Sequence, residues 1–263
     1  MSRFRTVAIV AMACAVALPA VAQRRPPANR QVVVSAAVSL TDVLQQLAPL
    51  YQQATGDQLV LNLGPSNTLA RQIRFDAGVD VFISADEAQM NSVAMQIDPA
   101  SRVDLLSNQL AIAVTDDRPR TLMSARDLLD SAFRRIAIGD PAAVPAGVYA
   151  KQYLQNMGIW PDIARKVIPT GSVRLALSAV ESGGADAAIV YHTDMAIATH
   201  AREALLIPAG EGPRIVYPAA IVRAGKNHEG GRRFLAFLQT PAAASVFTQA
   251  GFIALSTSRN QPR

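Results

Sequence analysis

The sequence is poor in cysteine, in aromatic residues and in clustered charge. Cys14 is the single cysteine among 263 residues, which excludes an internal disulfide framework and a multi-cysteine zinc site. Charged residues make up 17% of the chain, its formal net charge is +5, and no run of five or six like charges occurs. The sequence therefore lacks the electrostatic footprint of a nucleic-acid-binding protein, and we expect no nucleic-acid partner.

Several catalytic and nucleotide-binding motifs are also missing. The chain contains no G-x-S-x-G elbow, no H-E-x-x-H helix and no glycine-rich phosphate loop. His192 beside Tyr191 is a candidate general base, although a lone histidine is more typical of a surface or a hinge. An exported hydrolase therefore stays open only as a minor alternative. A DNA-binding segment that would turn the chain into a transcription regulator is absent too.

The first 22 residues have the features of a secretory signal peptide. Arg3 and Arg5 precede a short apolar run over residues 6–18, and an A-x-A cleavage site follows at residues 20–22. The apolar run is too short for a comfortable transmembrane span. We expect a periplasmic protein from which residues 1–22 are removed, with an anchor helix or lipidation at Cys14 as less favoured alternatives.

The remaining chain alternates strand-like apolar runs with helical patterns. Half of all residues are hydrophobic, enough for a sizeable core. The strand-like runs are Gln31–Ser35, Gln58–Leu63, Val79–Ser84, Leu110–Val114, Arg135–Ile138, Lys166–Ile168, Ala187–Tyr191 and Tyr217–Val222. The helical patterns are Leu40–Tyr51, Thr68–Phe75, Asp127–Ala132, Val148–Met157, Leu175–Glu181, Arg232–Gln239 and Pro241–Gln249. This alternation predicts an α/β fold with parallel sheets covered on both faces.

Polar groups recur where predicted strands lead into predicted helices. Such junctions carry Ser39, Ser66, the segment around Pro145, the turn before Val173, and Tyr191. Ligands of open α/β sheets collect at the carboxyl ends of strands, where helix N-termini offer free N–H groups and a positive dipole end. Hydroxyls and N–H groups without a carboxylate–histidine pair suit an anion that accepts hydrogen bonds and gives none. Each residue alone has a simpler explanation as a helix cap or as packing. Ser39 and Asp42 have the spacing of a capping box, which predicts Asp42 as a capping partner.

Five motifs resemble the molybdate-binding periplasmic proteins of ABC importers. They are AAVSLTDVL (Ala36–Leu44), GPSNTLARQI (Gly64–Ile73), DVFISAD (Asp80–Asp86), GDPAAVPAGVYAKQ (Gly139–Gln152) and ADAAIVYHTD (Ala185–Asp194). The resemblance runs in order from about Val32 to Phe252. It implies an α/β, two-lobed periplasmic binding protein fold of type II. Lobe one would comprise residues 31–110 and 217–255, and lobe two residues 111–216, with a hinge crossed near 109–113 and near 216–220.

The resemblance also implies the ligand contacts and the function. Hydroxyls and N–H groups of Ser39 and Ser66, backbone N–H groups of Ala146 and Val173, and the phenol of Tyr191 would bind molybdate or tungstate. We accordingly expect a monomeric solute-binding protein, not an enzyme, with no cofactor and no cation site. It would deliver its oxyanion to an inner-membrane ABC importer permease.

Two departures from the family pattern concern the size of the pocket. Val38 stands where alanine is usual, and Gly64-Pro65 replaces a more open pair of small residues. A binding protein for another tetrahedral oxyanion, such as sulfate, is therefore the main alternative.

Overall fold

The computed structural model describes residues 31–117 and 119–255, so the predicted signal peptide and Cys14 lie outside the described residues. Within that part of the chain the strands form two sheets. The first has six strands in the order β11-β4-β10-β3-β1-β2 and the second has five in the order β7-β6-β8-β5-β9. We call the first sheet with its helices lobe one, and the second sheet with its helices lobe two.

Lobe one is built around a buried parallel core with an antiparallel flank. β1 pairs in parallel with β2 and β3, whereas β10 runs antiparallel to β3 and β4, and β11 antiparallel to β4. Helix α1 contacts β2, and helices α2 and α8 both contact β1. The strands are β1 Gln31–Ala37, β2 Gln58–Gly64, β3 Val81–Ile83, β4 Val103–Ser107, β10 Tyr217–Ile221 and β11 Ile253–Ala254. The α-helices are α1 Thr41–Thr55, α2 Ser66–Arg74, α3 Glu87–Asn91, α8 His228–Leu238 and α9 Pro241–Gln249.

Lobe two has a mixed sheet as well. β6 pairs in parallel with β7 and β8, and β5 lies antiparallel between β8 and β9. The helices α4 and α6 both pack against β6 and β8. The strands are β5 Leu110–Thr115, β6 Ile136–Gly139, β7 Val167–Thr170, β8 Ala187–Tyr191 and β9 Ala201–Leu206. The α-helices are α4 Pro145–Asn156, α5 Trp160–Ile163, α6 Val173–Glu181 and α7 His192–Met195.

The α/β class is confirmed, but the sheets are mixed rather than parallel. β4, β9 and β11 were not predicted, and all three pair antiparallel. The segment Asp127–Ala132, predicted as a helix, forms only a 3₁₀ helix over Ala125–Leu129. No helix within residues 31–117 and 119–255 has both the length and the apolar composition to cross a membrane.

The chain passes between the two sheets twice. The first passage is Asn108–Gln109, between β4 and β5, and the second is the segment from residue 207 to residue 216, between β9 and β10. Leu110–Ala113 and Tyr217–Ala220, which were expected at the two crossings, instead lie inside β5 and β10. Each of these apolar runs pairs with a strand on either side, β5 with β8 and β9, and β10 with β3 and β4. The residues that follow the carboxyl ends of β1, β2, β6 and β7, together with the last residue of β8, line one pocket at the interface of the lobes.

Candidate functional site

All five residues predicted to bind the ligand line one pocket between the lobes. Ser39 and Ser66 come from lobe one, and Ala146, Val173 and Tyr191 from lobe two. The cavity within the pocket is about 10 Å³, measured as the space open to the centre of a water-sized sphere. Cavities that hold organic ligands usually measure roughly 300–1,000 Å³. The dimensions therefore suit a small ion better than an organic molecule.

The lining of this pocket carries no charged side chain. The remaining lining residues are Ala37, Val38, Gly64, Pro65, Ala85, Val144, Pro145 and Ser172. Val38 and Pro65, the two departures from the family pattern, thus both lie at the pocket wall. With neither a carboxylate nor a histidine in the lining, the pocket offers donors to an anion but no general base to a substrate.

In lobe one, both serine oxygens accept or share a hydrogen bond with another group of that lobe. The Ser66 Oγ accepts from the backbone N–H of Ala85 at 2.9 Å. The Ser39 Oγ lies 3.0 Å from the hydroxyl of Tyr217. Both serines are buried: 4% of Ser39 and 1% of Ser66 is exposed. Each hydroxyl therefore has a fixed position relative to the sheet of lobe one.

The local structure around Ser39 differs from the predicted capping box. Ser39 lies in a 3₁₀ turn over Val38–Leu40, and α1 begins at Thr41 without a side-chain cap. Asp42, predicted as the capping partner, instead forms an ion pair with Arg174 of lobe two. The Ser39 hydroxyl therefore does not cap a helix and contacts the hydroxyl of Tyr217 instead.

In lobe two, two helix N-termini face the pocket. α4 begins at Pro145 and α6 at Val173, so Ala146 and Val173 lie in first turns, where N–H groups have no partner within the helix. Gly147 allows α4 to approach the end of β6, since a Cβ at this position would lie 1.8 Å from the carbonyl oxygen of Gly139. A glycine is therefore required for the α4 N-terminus to reach the pocket.

Tyr191 ends β8, as predicted, and its hydroxyl is buried at the pocket. This oxygen has no hydrogen-bond partner among the described residues, although only 1% of the residue is exposed. Burial raises the pKa of Tyr191 well above its usual value, so the phenol keeps its proton and remains a donor. Leaving a buried hydroxyl unpaired costs free energy, which a ligand oxygen at this position would offset.

An ion-pair chain beside the pocket joins the lobes. Arg174 follows Val173 and lies 2.7 Å from Asp42 of lobe one and 2.8 Å from Asp194 of lobe two. Asp194 is fully buried and accepts the N–H of Tyr191 at 3.1 Å. Burial raises the pKa of Asp194 to about 6, against the opposing effects of Arg174 and this hydrogen bond. Arg174 thus neutralises a buried carboxylate and links it to the opposite lobe.

The sequence did not predict two groups at this site. Tyr217 was recognised only as the start of a strand, and Asn108 was given no role. Together with Ser39 and Thr193 they form a buried polar cluster at the junction of the lobes. His192, the candidate general base, points away from the lining and pairs with Glu203 at 2.7 Å.

Comparison with known proteins assigns the chain to a family. The model of the bacterial extracellular solute-binding protein family matches residues 32–253. The molybdate-binding protein ModA of Escherichia coli K12 is 34% identical over 232 residues, which cover 84% of this chain and 88% of that protein. Both findings agree with the resemblance found in the sequence motifs.

Two solved structures share the fold. The periplasmic molybdate-binding protein of Azotobacter vinelandii has a TM-score of 0.75 at 24% identity, covering 88% of this chain and 100% of that chain. The sulfate-binding protein SubI of Mycobacterium tuberculosis H37Rv has a TM-score of 0.73 at 16% identity, covering 87% of this chain and 88% of that chain. These likenesses confirm the two-lobed type II fold and leave the choice of anion open. This chain belongs to the bacterial extracellular solute-binding protein family and, within it, to the relatives of the molybdate-binding protein ModA.

Proposed function

We propose that this protein captures molybdate, and also tungstate, in the pocket between its lobes. The observation that carries the proposal is the lining of the pocket. Hydroxyls and first-turn N–H groups from both lobes converge there without a charged side chain. Ser39, Ser66, Ala146, Val173 and Tyr191 are the proposed ligand contacts.

The chemistry of the donors favours a fully ionised tetrahedral anion. Near neutral pH, phosphate still carries a proton that needs an acceptor, and the lining offers no carboxylate to receive it. Sulfate has the same charge as molybdate but is a smaller tetrahedron, so some donors would lie beyond hydrogen-bond distance. We infer binding without a metal cation or a cofactor, and no reaction catalysed on the ligand.

The two-lobed arrangement suggests how capture takes place. We assign residues 31–110 with 217–255 to one moving body and residues 111–216 to the other, with the passages between the sheets as the hinge. Hinge closure around the anion would bring the donors of both lobes into contact with it. The resulting complex would be a periplasmic monomer that an inner-membrane ABC importer permease recognises.

Calorimetric titration with molybdate, tungstate, sulfate and phosphate tests the proposal. We expect tight binding of the first two anions and much weaker binding of the other two. At a concentration one hundred times its dissociation constant, a ligand bound only by the folded state stabilises it by about 2.7 kcal/mol. Molybdate should therefore raise the melting temperature. Sulfate binding as tight as molybdate binding would overturn the assignment of the anion and favour the sulfate alternative.

A further inference from the structure

A buried chain of hydrogen bonds runs from the passage between the lobes to the pocket. The Asn108 Nδ2 lies 2.9 Å from the Thr193 Oγ1 and 3.4 Å from the Tyr217 hydroxyl, which in turn lies 3.0 Å from the Ser39 Oγ. All four residues are buried. Ser39 belongs to the pocket lining and the other three do not. The chain therefore reaches a proposed ligand contact through residues that do not line the pocket.

The backbone N–H of Gln109 determines the direction of these hydrogen bonds, because it can only donate. The backbone N–H of Gln109 donates to the Asn108 Oδ1 at 2.8 Å, which fixes the orientation of the amide. The Asn108 NH₂ group must then face Tyr217 and Thr193. Because an NH₂ group accepts no hydrogen bond, the Tyr217 proton has no acceptor on that side.

Ser39 is the remaining acceptor for the Tyr217 proton. The reverse arrangement, with Ser39 donating to Tyr217, would aim the Tyr217 proton at the Asn108 NH₂ group. Burial also raises the pKa of Tyr217 far above its usual value, so this hydroxyl keeps its proton near neutral pH. With Tyr217 donating, the Ser39 proton is free to point away from Tyr217.

We propose that Tyr217 is a positioning residue for anion binding, which donates to the Ser39 Oγ and so directs the Ser39 proton into the pocket. The inference rests on the proposed function, because it concerns the donation from Ser39 to an oxyanion. Ser66 has the same arrangement with a different donor, since the N–H of Ala85 donates to its Oγ. In both serines a donor from lobe one occupies the Oγ and leaves the hydroxyl proton for the ligand.

A double-mutant cycle on Tyr217 and Ser39 tests this role. Molybdate affinity is measured for the unsubstituted protein, Tyr217→Phe, Ser39→Ala and the double variant. Phenylalanine keeps the ring that packs against Tyr191 and Phe252, with centroids 5.9 and 5.6 Å away. We expect Tyr217→Phe to weaken binding roughly three- to ten-fold when Ser39 is present and to have no effect in the Ser39→Ala background.

A matched variant separates positioning from general packing. Tyr51 is another fully buried tyrosine of lobe one, and its hydroxyl donates to Asp57 and to the carbonyl of Gly230, remote from the pocket. Tyr51→Phe should lower the unfolding midpoint without changing molybdate affinity. If Tyr217→Phe fails to fold, the cycle is run with Asn108→Asp, which keeps Tyr217 and gives its proton an acceptor on the wrong side.

With Asn108→Asp, the loss of affinity should be larger when Ser39 is present than in the Ser39→Ala background. The added charge acts in both backgrounds and cancels in the cycle. Equal effects of either substitution with and without the serine hydroxyl would overturn the role of Tyr217 while leaving molybdate capture intact. Failure of the unsubstituted protein to bind molybdate would instead overturn the proposed function, and this role with it.

Discussion

The two lobes contribute to the pocket in different ways. Lobe one supplies two side-chain hydroxyls, at Ser39 and Ser66, and the oxygen of each is already hydrogen-bonded or in hydrogen-bond contact within that lobe. Lobe two supplies first-turn N–H groups and the Tyr191 hydroxyl, which has no partner among the described residues. Lobe one therefore presents donors that its own fold orients, whereas the Tyr191 donor of lobe two depends on the ligand for a partner.

Because of this difference, substitutions in the two lobes should affect folding stability and ligand affinity in different proportions. A change in lobe one that removes a serine also removes a hydrogen bond of the folded chain, so it should affect both quantities. A change to the Tyr191 hydroxyl removes no hydrogen bond within the described residues and should affect only binding. Variants in the two lobes can therefore test whether the donors have the roles given to them here.

The largest effect is expected at Gly147, which seats the α4 N-terminus of lobe two. An alanine Cβ there would lie 1.8 Å from the oxygen and 2.4 Å from the carbon of the Gly139 carbonyl, so the helix must shift. Such overpacking costs about 1–3 kcal/mol of folding free energy. Displacing the Ala146 N–H at this end of α4 should weaken molybdate binding roughly a hundred-fold by calorimetry, because a lost hydrogen bond to a charged ligand costs up to about 3 kcal/mol.

Gly158→Ala is the control for that substitution. Gly158 follows the other end of α4 with a left-handed φ of 71°, and a Cβ there meets no heavy atom within 4 Å, so stability should fall by about 1–2 kcal/mol through backbone strain while affinity stays as it is. Unchanged binding by Gly147→Ala would show that the α4 N-terminus does not hold the anion.

A second comparison sets Tyr191→Phe against Ser66→Ala. Tyr191→Phe should weaken molybdate binding roughly ten- to a hundred-fold, since a lost hydrogen bond to a charged group costs about 1.5–3 kcal/mol. Its free energy of unfolding without ligand should not fall, because the Tyr191 hydroxyl has no partner among the described residues. Denaturant unfolding and calorimetry on the same variant measure the two effects.

Ser66→Ala should instead lower both affinity and stability. It removes a donor to the ligand and leaves the buried N–H of Ala85 without its acceptor, at a cost of about 1–3 kcal/mol. If both variants lost affinity and stability alike, the contrast between the lobes would be wrong. Unchanged binding by Tyr191→Phe would remove Tyr191 from the site.

The smallest effect is expected at the ion pair between the lobes. Asp42→Asn removes the partner that Arg174 has in lobe one, while Arg174 still neutralises the buried Asp194. Because 45% of the Asp42 side chain is exposed, the pair is worth about 0.2–1 kcal/mol, and molybdate affinity should fall by at most roughly five-fold. The fall should be smaller in high salt, since ions screen an exposed pair.

Asp162→Asn is the matched control for Asp42→Asn. Asp162 pairs with Arg165 three residues on, and both side chains are mostly exposed and remote from the pocket. Molybdate affinity of this variant should be unchanged at every salt concentration. An equal loss in both variants would point to a general effect of charge instead of a link between the lobes.

The sequence allowed prediction of the pocket residues because the relevant chemistry is local. Polar groups at the turns after β1, β2 and β8 can be recognised from the strand that precedes each of them. The structure brings Ser39, Ser66 and Tyr191 to one pocket, because these turns lie at the carboxyl ends of their strands. Their part in binding an anion stays a prediction that the variants above can test.

Elements stabilised by distant partners were missed. β9 has the sequence AREALL, rich in good helix formers, yet it forms an edge strand because β5 pairs with it. Asp42 had the spacing of a capping partner, and only the fold brings it to Arg174, 132 residues away. The contact between Ser39 and Tyr217 spans 178 residues and leaves no local pattern in the sequence.

The adjacency of Val173 and Arg174 has a consequence for kinetics. Val173 lines the pocket at the first residue of α6, and the next side chain reaches across to Asp42 of the other lobe. Separation of the lobes at this turn therefore breaks the ion pair as it uncovers the anion. Salt that screens the pair should shorten the residence time of the bound anion. Asp42→Asn should shorten the residence time as well, and because affinity differences among variants arise mainly in dissociation, its rate of capture should change much less.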